Sequence, residues 1–144
     1  MIVYFDTSAL VKLVFDEPGS NLVGELWDRA SSVVSGQLVY PEARAAAAAA
    51  HRNGRLDAGQ LRAAVRTIDE IYKELTKVRV DAPLAKAAGE LAERRALRGY
   101  DAVHLASALS INDPDVVLAT WDRALADAAG QEGLAVAPGQ PDRA

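Results

Sequence analysis

The amino-acid sequence predicts an α/β domain in which a mainly parallel sheet of about five short strands is flanked by helices. Short β-prone segments alternate with longer segments of helical periodicity, which is typical of strands joined by helical crossovers. The run Val116–Ala119 is apolar at every position, as expected of a strand covered on both faces. The chain has 144 residues and no internal linker, which is the size of a single domain.

Short apolar segments bounded by turn-forming or capping residues are predicted to be the strands. These are Ile2–Phe5, Val33–Ser35, Val78–Val80, Val116–Ala119 and Leu134–Ala137. The domain is therefore expected to span residues 1–137. The remaining residues, 138–144, carry proline, glycine and charges and are expected to form a frayed tail.

The segments between the strands are predicted to be helices because each has a cap or an apolar face. Pro41 favours a first-turn position, so it is expected to open a helix that continues through Ala43–Ala50 and ends at Asn53-Gly54. Asp6-Thr7-Ser8 and Asp57 are predicted to cap the helices that follow them, and Asp101 and Asp122 are predicted to open theirs. The other predicted helices are Ala9–Phe15, Asn21–Arg29, Ala58–Lys77, Ala82–Leu97, Asp101–Ser110 and a short one from Asp122 to Gly130.

The composition excludes several kinds of site. The absence of cysteine excludes disulfides, cysteine–zinc sites and thiol nucleophiles, and two histidines, His51 and His104, argue against a histidine-rich metal site. The net charge of −4 is not typical of a non-specific nucleic-acid binder. Because the first residues do not resemble a signal peptide and no apolar run approaches membrane length, we expect a cytoplasmic protein with no membrane segment.

Four acidic residues stand where predicted strands end or helices begin: Asp6, Glu42, Asp101 and Asp122. Each taken alone is explained as a helix cap or a first-turn acid, which stabilises a helix. Together they are expected to converge at the carboxyl edge of the parallel sheet, where ligands bind in such folds. A cluster of carboxylates is suited to Mg²⁺ or Mn²⁺, and two such ions can clamp the oxygens of a phosphodiester.

The sequence resembles a PIN domain in four acidic motifs, which occur in order and span residues 1 to about 137. The motifs are Asp6-Thr7-Ser8-Ala9-Leu10, Tyr40-Pro41-Glu42-Ala43, Gly99-Tyr100-Asp101-Ala102-Val103-His104-Leu105-Ala106 and Thr120-Trp121-Asp122-Arg123-Ala124-Leu125. The length and the helix-rich middle are similar to those of the VapC toxins of toxin–antitoxin pairs. The implied fold is a three-layer PIN-like domain.

The resemblance also implies a function. It implies RNA cleavage, often in transfer or ribosomal RNA, by water activated on one or two Mg²⁺ or Mn²⁺ ions. Asp6 and Asp101 would be the closest ligands, and Glu42 and Asp122 would act through water. A small antitoxin would cover the acidic site, and the toxin would be a homodimer. The hydroxyls that match positions orienting an acid or a water are those of Ser8 and Thr120.

Several other residues have both a functional and a structural interpretation. Without the four acids, 16 acidic residues balance 16 basic ones, so some arginines are free to meet phosphates or simply form solvated helix faces. His104 is a general base or a packed, hydrogen-bonded core residue. The other candidates are Arg44, Arg52, Arg55, Arg94, Arg95 and Arg98 for phosphate, Trp27 and Trp121 for base stacking or core packing, and Lys12 for a place near the site.

Two other functions remain open from the sequence. A catalytically silent PIN-like scaffold would bind RNA or a partner without cutting. A phospho-accepting receiver domain would use Asp81 after a central third strand, but it also needs a lysine at a strand end, and all lysines are predicted to lie in helices. An Asp-x-Asp phosphatase is disfavoured because Ser8 stands where the second aspartate would be.

Overall fold

The computed structural model describes residues 1–139 and contains a sheet in which all neighbouring strands are parallel. The strands are β1 (Ile2–Phe5), β2 (Ser32–Gly36), β3 (Thr76–Val78), β4 (Val116–Ala119) and β5 (Ala135–Ala137). Their order is β3-β2-β1-β4-β5, with Val3 of β1 opposite Val33 on one side and Val117 on the other. The predicted α/β class with five parallel strands is confirmed.

The helices cover both faces of this sheet and make a three-layer domain. They are α1 (Thr7–Leu10), α2 (Ser20–Arg29), α3 (Val39–Arg52), α4 (Ala58–Glu74), α5 (Ala82–Arg95), α6 (Gly99–Ser110) and α7 (Arg123–Gln131), with a 3₁₀ turn at Val11–Leu13. Because side chains alternate along a strand, Tyr4 packs with α5, α6 and α7, whereas Val3 and Phe5 pack with α1 to α4. Each face of β1 is therefore buried in its own core.

The first helix and the region around β3 differ from the sequence prediction. The helix predicted as Ala9–Phe15 is a short α1 followed by the 3₁₀ turn, and it begins at Thr7 because the Asp6 carboxylate accepts the Ala9 amide. The helix predicted to reach Lys77 ends at Glu74. The following residues are extended because Thr76–Val78 pair with β2, so the predicted strand Val78–Val80 lies two residues too late.

This topology overturns two parts of the receiver interpretation. The third strand is an edge strand rather than the central one, and Asp81 after it caps α5 by accepting the Leu84 amide hydrogen at 3.0 Å. Lys77 lies in β3, so the expectation that every lysine is helical was wrong. Asp81, the acceptor that this interpretation named, therefore does not lie at the end of a central strand.

The predicted frayed tail of residues 138–144 lies, from residue 140 onward, outside the described residues. Within residues 1–139 no helix has both the length and the apolar character needed to cross a membrane. Of the alanine-rich segment of α3, Ala43, Ala47 and Ala50 are buried within the chain itself. This side of α3 is therefore occupied by the core.

Candidate active site

The candidate site lies at the carboxyl ends of β1 and β4, which are adjacent in the sheet. Chain connections run from β1 towards β2 and β3 on one side and from β4 towards β5 on the other. The strand order therefore reverses between β1 and β4, and ligands in open parallel sheets bind at such a reversal. Asp6 directly follows β1, and Thr120 and Asp122 follow β4.

Asp6 is the buried centre of this arrangement, with only 3% of the residue exposed. Its Oδ1 accepts hydrogen bonds from the Ser8 hydroxyl at 2.7 Å and from the Ala9 amide at 2.9 Å. Its Oδ2 accepts a short hydrogen bond from the Thr120 hydroxyl. Both oxygens are thus held in fixed directions by donors from two neighbouring strand ends.

The burial of Asp6 has an electrostatic cost. Burial raises the pKa of Asp6 above its ordinary value, while His104 and the three hydrogen bonds act in the opposite direction. Among residues 1–139 Asp6 forms no ion pair with a lysine or arginine. A buried carboxylate without a cationic partner is expensive, and such groups are concentrated at functional sites.

The Ser8 and Thr120 hydroxyls connect Asp6 to the start of the next loop. Ser8 Oγ accepts the Trp121 amide hydrogen at 2.9 Å, and Thr120 Oγ1 accepts the Asp122 amide hydrogen at 3.0 Å. Each hydroxyl therefore donates to Asp6 while accepting from the backbone after β4. The sequence singled out both hydroxyls, and the structure places both against the same carboxylate.

Glu42, in the first turn of α3, is held by residues from two other elements. Its Oε1 accepts hydrogen bonds from the Thr7 hydroxyl and from His104 Nε2, both at 2.9 Å. Burial alone would raise the pKa of Glu42, but the His104 hydrogen bond and charge, with the Thr7 hydroxyl, hold that pKa below its usual value. Glu42 is therefore ionised at neutral pH.

Asp101 and Asp122 are connected by one arginine. Arg98 Nε donates to Asp101 Oδ2 at 3.2 Å, and Arg98 Nη2 donates to Asp122 Oδ2 at 3.3 Å. The other oxygen of Asp122 caps α7 by accepting the Leu125 amide hydrogen at 2.8 Å. The Arg98 side chain is 82% exposed, so solvent screens both ion pairs.

The four predicted acids are thus brought to one edge of the sheet, where shared hydrogen-bond partners connect three of them. Thr120 links Asp6 to Asp122, and Arg98 links Asp122 to Asp101. Glu42 is bonded to Thr7, the residue after Asp6, and to His104 on the same helix as Asp101. In the described residues, as the side chains stand, no three His, Asp or Glu groups are gathered tightly enough to hold a metal ion.

Most of the other candidate cationic and aromatic side chains contact residues outside the group of four acids. Arg94 and Arg95 pair with Glu132, and Arg44 donates to the Tyr40 hydroxyl at 3.1 Å. Lys12 donates to Glu17 and to the Pro18 carbonyl and lies over the Trp121 ring. Trp27 packs against Phe5, so it is a core residue. The remaining candidates for phosphate, exposed on the surface, are Arg52 and Arg55.

Sequence reasoning missed Thr7 and Tyr4, which contact the site directly or through one residue. Thr7 donates to Glu42, and the Tyr4 hydroxyl lies 2.8 Å from His104 Nδ1. The position of Thr7 within the first acidic motif is a signal that could have found it. Tyr4 offers no such signal, because a tyrosine inside an apolar strand looks like any other core residue.

Comparison with known proteins identifies the family. The PIN-domain family model matches residues 3–131. Ribonuclease VapC45 of Mycobacterium tuberculosis is 48% identical over 141 residues, covering 98% of each chain. Among solved structures, PAE2754 from Pyrobaculum aerophilum matches with a TM-score of 0.71 at 25% identity, covering 94% of this chain and 83% of that one. VapBC-5 from Mycobacterium tuberculosis, described as a member of the VapBC family of toxin–antitoxin systems, matches with a TM-score of 0.60 at 20% identity, covering 94% of both chains. The chain therefore belongs to the PIN-domain family and, within it, to the VapC ribonucleases.

Proposed function

We propose that this chain is a metal-dependent endoribonuclease that acts as the toxin of a toxin–antitoxin pair and cleaves transfer or ribosomal RNA. The observation that carries the proposal is the buried Asp6 at the point where the strand order reverses, which among residues 1–139 pairs with no lysine or arginine. The 48% identity to a protein named a ribonuclease, over 98% of the chain, supports the ribonuclease activity.

The donor set fits Mg²⁺ or Mn²⁺, because carboxylate and hydroxyl oxygens are the ligands these hard cations prefer. A nearby positive charge would also stabilise the ionised form of Asp6, which burial disfavours. Asp6 and Asp101 would hold one or two ions directly, with Glu42 and Asp122 acting through water. When bound, the ion supplies Lewis-acid stabilisation of phosphate oxygens and lowers the pKa of a water molecule.

The side chains of this site orient the carboxylates that take part in the reaction. The Ser8 and Thr120 hydroxyls fix the direction of the Asp6 carboxylate, and Glu42 is ionised and ready to accept a proton or a water hydrogen bond. A water oxygen attacks phosphorus, the bond from phosphorus to the 3′ oxygen breaks, and that oxygen takes up a proton. The products carry a 5′-phosphate and a 3′-hydroxyl.

Arg98 competes with the metal for Asp101 and Asp122. We expect Arg98→Ala to tighten Mn²⁺ binding several-fold, because the guanidinium that neutralises both acids is gone. The free energy of unfolding should change by less than about 1 kcal/mol, since the side chain is exposed. Isothermal titration calorimetry with Mn²⁺ measures the first effect, and urea unfolding measures the second.

The matched control is Arg95→Ala, which removes the same charge nearby but from a residue paired with Glu132. If Arg98→Ala bound Mn²⁺ more weakly than Arg95→Ala, competition by Arg98 would be excluded.

The proposed activity is tested by inducing the wild-type chain and Asp6→Asn in cells and mapping new 5′-monophosphate ends across total RNA. Growth arrest with a few new ends only in the wild-type strain is the expected result, and the positions of those ends name the substrate. The same ends in both strains would exclude the proposed role of Asp6. Metal binding by the purified protein with no cleavage of any RNA would favour the catalytically silent scaffold.

The proposed partner is a small antitoxin, and the description of VapBC-5 as a toxin–antitoxin protein supports this class of partner. We expect the antitoxin to cover the acidic site. A small antitoxin gene, if one is found just upstream, should restore growth on co-expression and give a complex that purifies as one species. The homodimer implied by the resemblance stays a prediction. Light scattering of the purified chain tests it directly.

A further inference from the structure

A chain of buried polar groups runs from the sheet to Glu42 through His104. His104 and Tyr4 are 3% and 0% exposed, so their polar atoms are removed from bulk solvent. The Tyr4 hydroxyl lies 2.8 Å from His104 Nδ1, and His104 Nε2 lies 2.9 Å from Glu42 Oε1. The histidine therefore uses one ring nitrogen towards the core and the other towards the candidate site.

The partners of the two nitrogens indicate which one carries the proton. A carboxylate only accepts hydrogen bonds, and Glu42 Oε1 already accepts one from Thr7, so His104 Nε2 is the donor towards it. His104 Nδ1 then faces the Tyr4 hydroxyl, which is able to donate to it. The Thr7 hydroxyl, 3.3 Å from Nε2, is already directed at Glu42 and is not needed as a donor to the ring.

The Tyr4 hydroxyl is itself held in place and keeps its proton. A Cβ at Gly36 would lie only 3.0 Å from this hydroxyl, so the absence of a side chain on β2 makes room for it. Burial raises the pKa of Tyr4, while hydrogen bonds with Ser107 and Ser35 act in the opposite direction. The rings of Tyr4 and His104 meet edge to face, with centroids 5.8 Å apart.

The alternative role of a general base does not fit this geometry. In the tautomer that serves Glu42, the only free lone pair of His104 is on Nδ1, and it faces the buried Tyr4 rather than the acidic edge. A base must reach the proton that it removes. His104 reaches the reaction only through Glu42.

We propose that His104 is a positioning residue, which the Tyr4 hydroxyl and Glu42 hold as the Nε2–H tautomer so that it fixes the Glu42 carboxylate for RNA cleavage. This inference rests on the proposed function, because the carboxylate it fixes belongs to that site. Partners of this kind, one step removed from a metal-binding group, typically contribute about 10–100-fold to metal affinity or activity.

Two substitutions of His104 separate positioning from packing. The His104→Gln side chain is long enough to place its amide nitrogen near Nε2, so it keeps the donor to Glu42 and loses the acceptor for Tyr4. The shorter His104→Asn side chain keeps the Tyr4 contact and loses the donor to Glu42. Each loses one buried hydrogen bond, so a purely structural role predicts similar losses of activity in the two variants.

With the full chain and the RNA identified by end mapping, we expect His104→Asn to lower kcat about 10–100-fold with KM for RNA unchanged. His104→Gln should stay within a few-fold of the wild-type kcat. Equal losses in the two variants would overturn the proposal. Thermal denaturation checks that both variants fold. If His104→Asn does not, Tyr4→Phe replaces it, with kcat expected to fall by up to about 10-fold and KM for RNA unchanged.

The ring nitrogens of His104 also provide a measurement that does not depend on cleavage. Two-bond nitrogen–proton correlation spectra of the ¹⁵N-labelled, metal-free chain should show His104 as the Nε2–H tautomer. A spectrum of the Nδ1–H tautomer would overturn the proposal whatever the activity. If the wild-type chain cleaves no RNA while the Nε2–H tautomer is present, the proposed function fails and the contact of His104 with Glu42 stands.

Discussion

Replacing Asp6 by Asn is expected to abolish RNA cleavage while leaving the metal-free fold at least as stable as the wild type at neutral pH. Asn keeps an acceptor for the Ser8 hydroxyl and the Ala9 amide, so the start of α1 survives. It removes the negative charge at the centre of the site. The loss of activity should exceed about a hundredfold, the upper end of what removing a partner of a metal ligand costs.

The stability of the same pair of proteins should depend on pH in a defined direction. Burial raises the pKa of Asp6 in the folded state above its unfolded value of about 3.9. The protonated carboxyl therefore stabilises the fold below that value, and this contribution is lost as pH rises through the folded-state pKa. Relative to Asp6→Asn, the metal-free wild type should lose stability as the pH is raised from 4.

Urea unfolding of both proteins with EDTA between pH 4 and pH 8 measures this difference. The other titrating groups are common to the two proteins, so they cancel in the comparison. A variant that became less stable than the wild type as pH rises would contradict the electrostatic interpretation of Asp6. A variant that still cleaved RNA would contradict its role in the site.

Replacing Thr120 by Val is expected to damage both stability and activity. The substitution keeps the shape of the buried side chain but removes the hydroxyl that donates to Asp6 and accepts the Asp122 amide hydrogen. Loss of these partners should lower the free energy of unfolding by about 1–3 kcal/mol. Because Asp6 loses a donor that directs it, Mn²⁺ affinity and cleavage should fall about 10–100-fold.

Thr120→Ser is the control for this experiment, because it keeps the hydroxyl and loses only a methyl group, at a cost of about 0.8 kcal/mol. Its activity should stay close to that of the wild type. Urea unfolding, calorimetry with Mn²⁺ and a cleavage assay on the mapped RNA give the three quantities. If Thr120→Val and Thr120→Ser behaved alike, the hydroxyl would have no role in orienting Asp6.

Much of the fold follows from local patterns in the sequence. The strands β1 and β4 were predicted with the bounds they have, because a short apolar run next to a capping residue is informative on its own. Asp6 and Asp122 were predicted as helix caps, and both accept the amide hydrogen three residues later. The sequence alone was therefore enough to predict that these two acids lie at helix starts.

The bounds of β3 could not be read in the same way. Residues 75–77 continue the helical periodicity of α4, and only pairing with Val34 and Ser35 makes them extended. That pairing joins residues about forty positions apart, and no local propensity reports it. The placement of Lys77 in a strand follows from the same long-range contact.

The sequence by itself determined the α/β class, the order of the four acidic motifs and the residues that cap the helices, because these depend on near neighbours. The tertiary structure decided what each acid touches. Arg94, Arg95 and Arg98 look alike in the sequence, yet two pair with Glu132 and one with Asp101 and Asp122. The left-handed backbone at Ala96 ends α5 between them, and the packing of α6 and α7 sets which acids each arginine meets. Long-range packing likewise joined Tyr4, His104 and Glu42, since side chains far apart in sequence meet only once the helices are placed on the sheet.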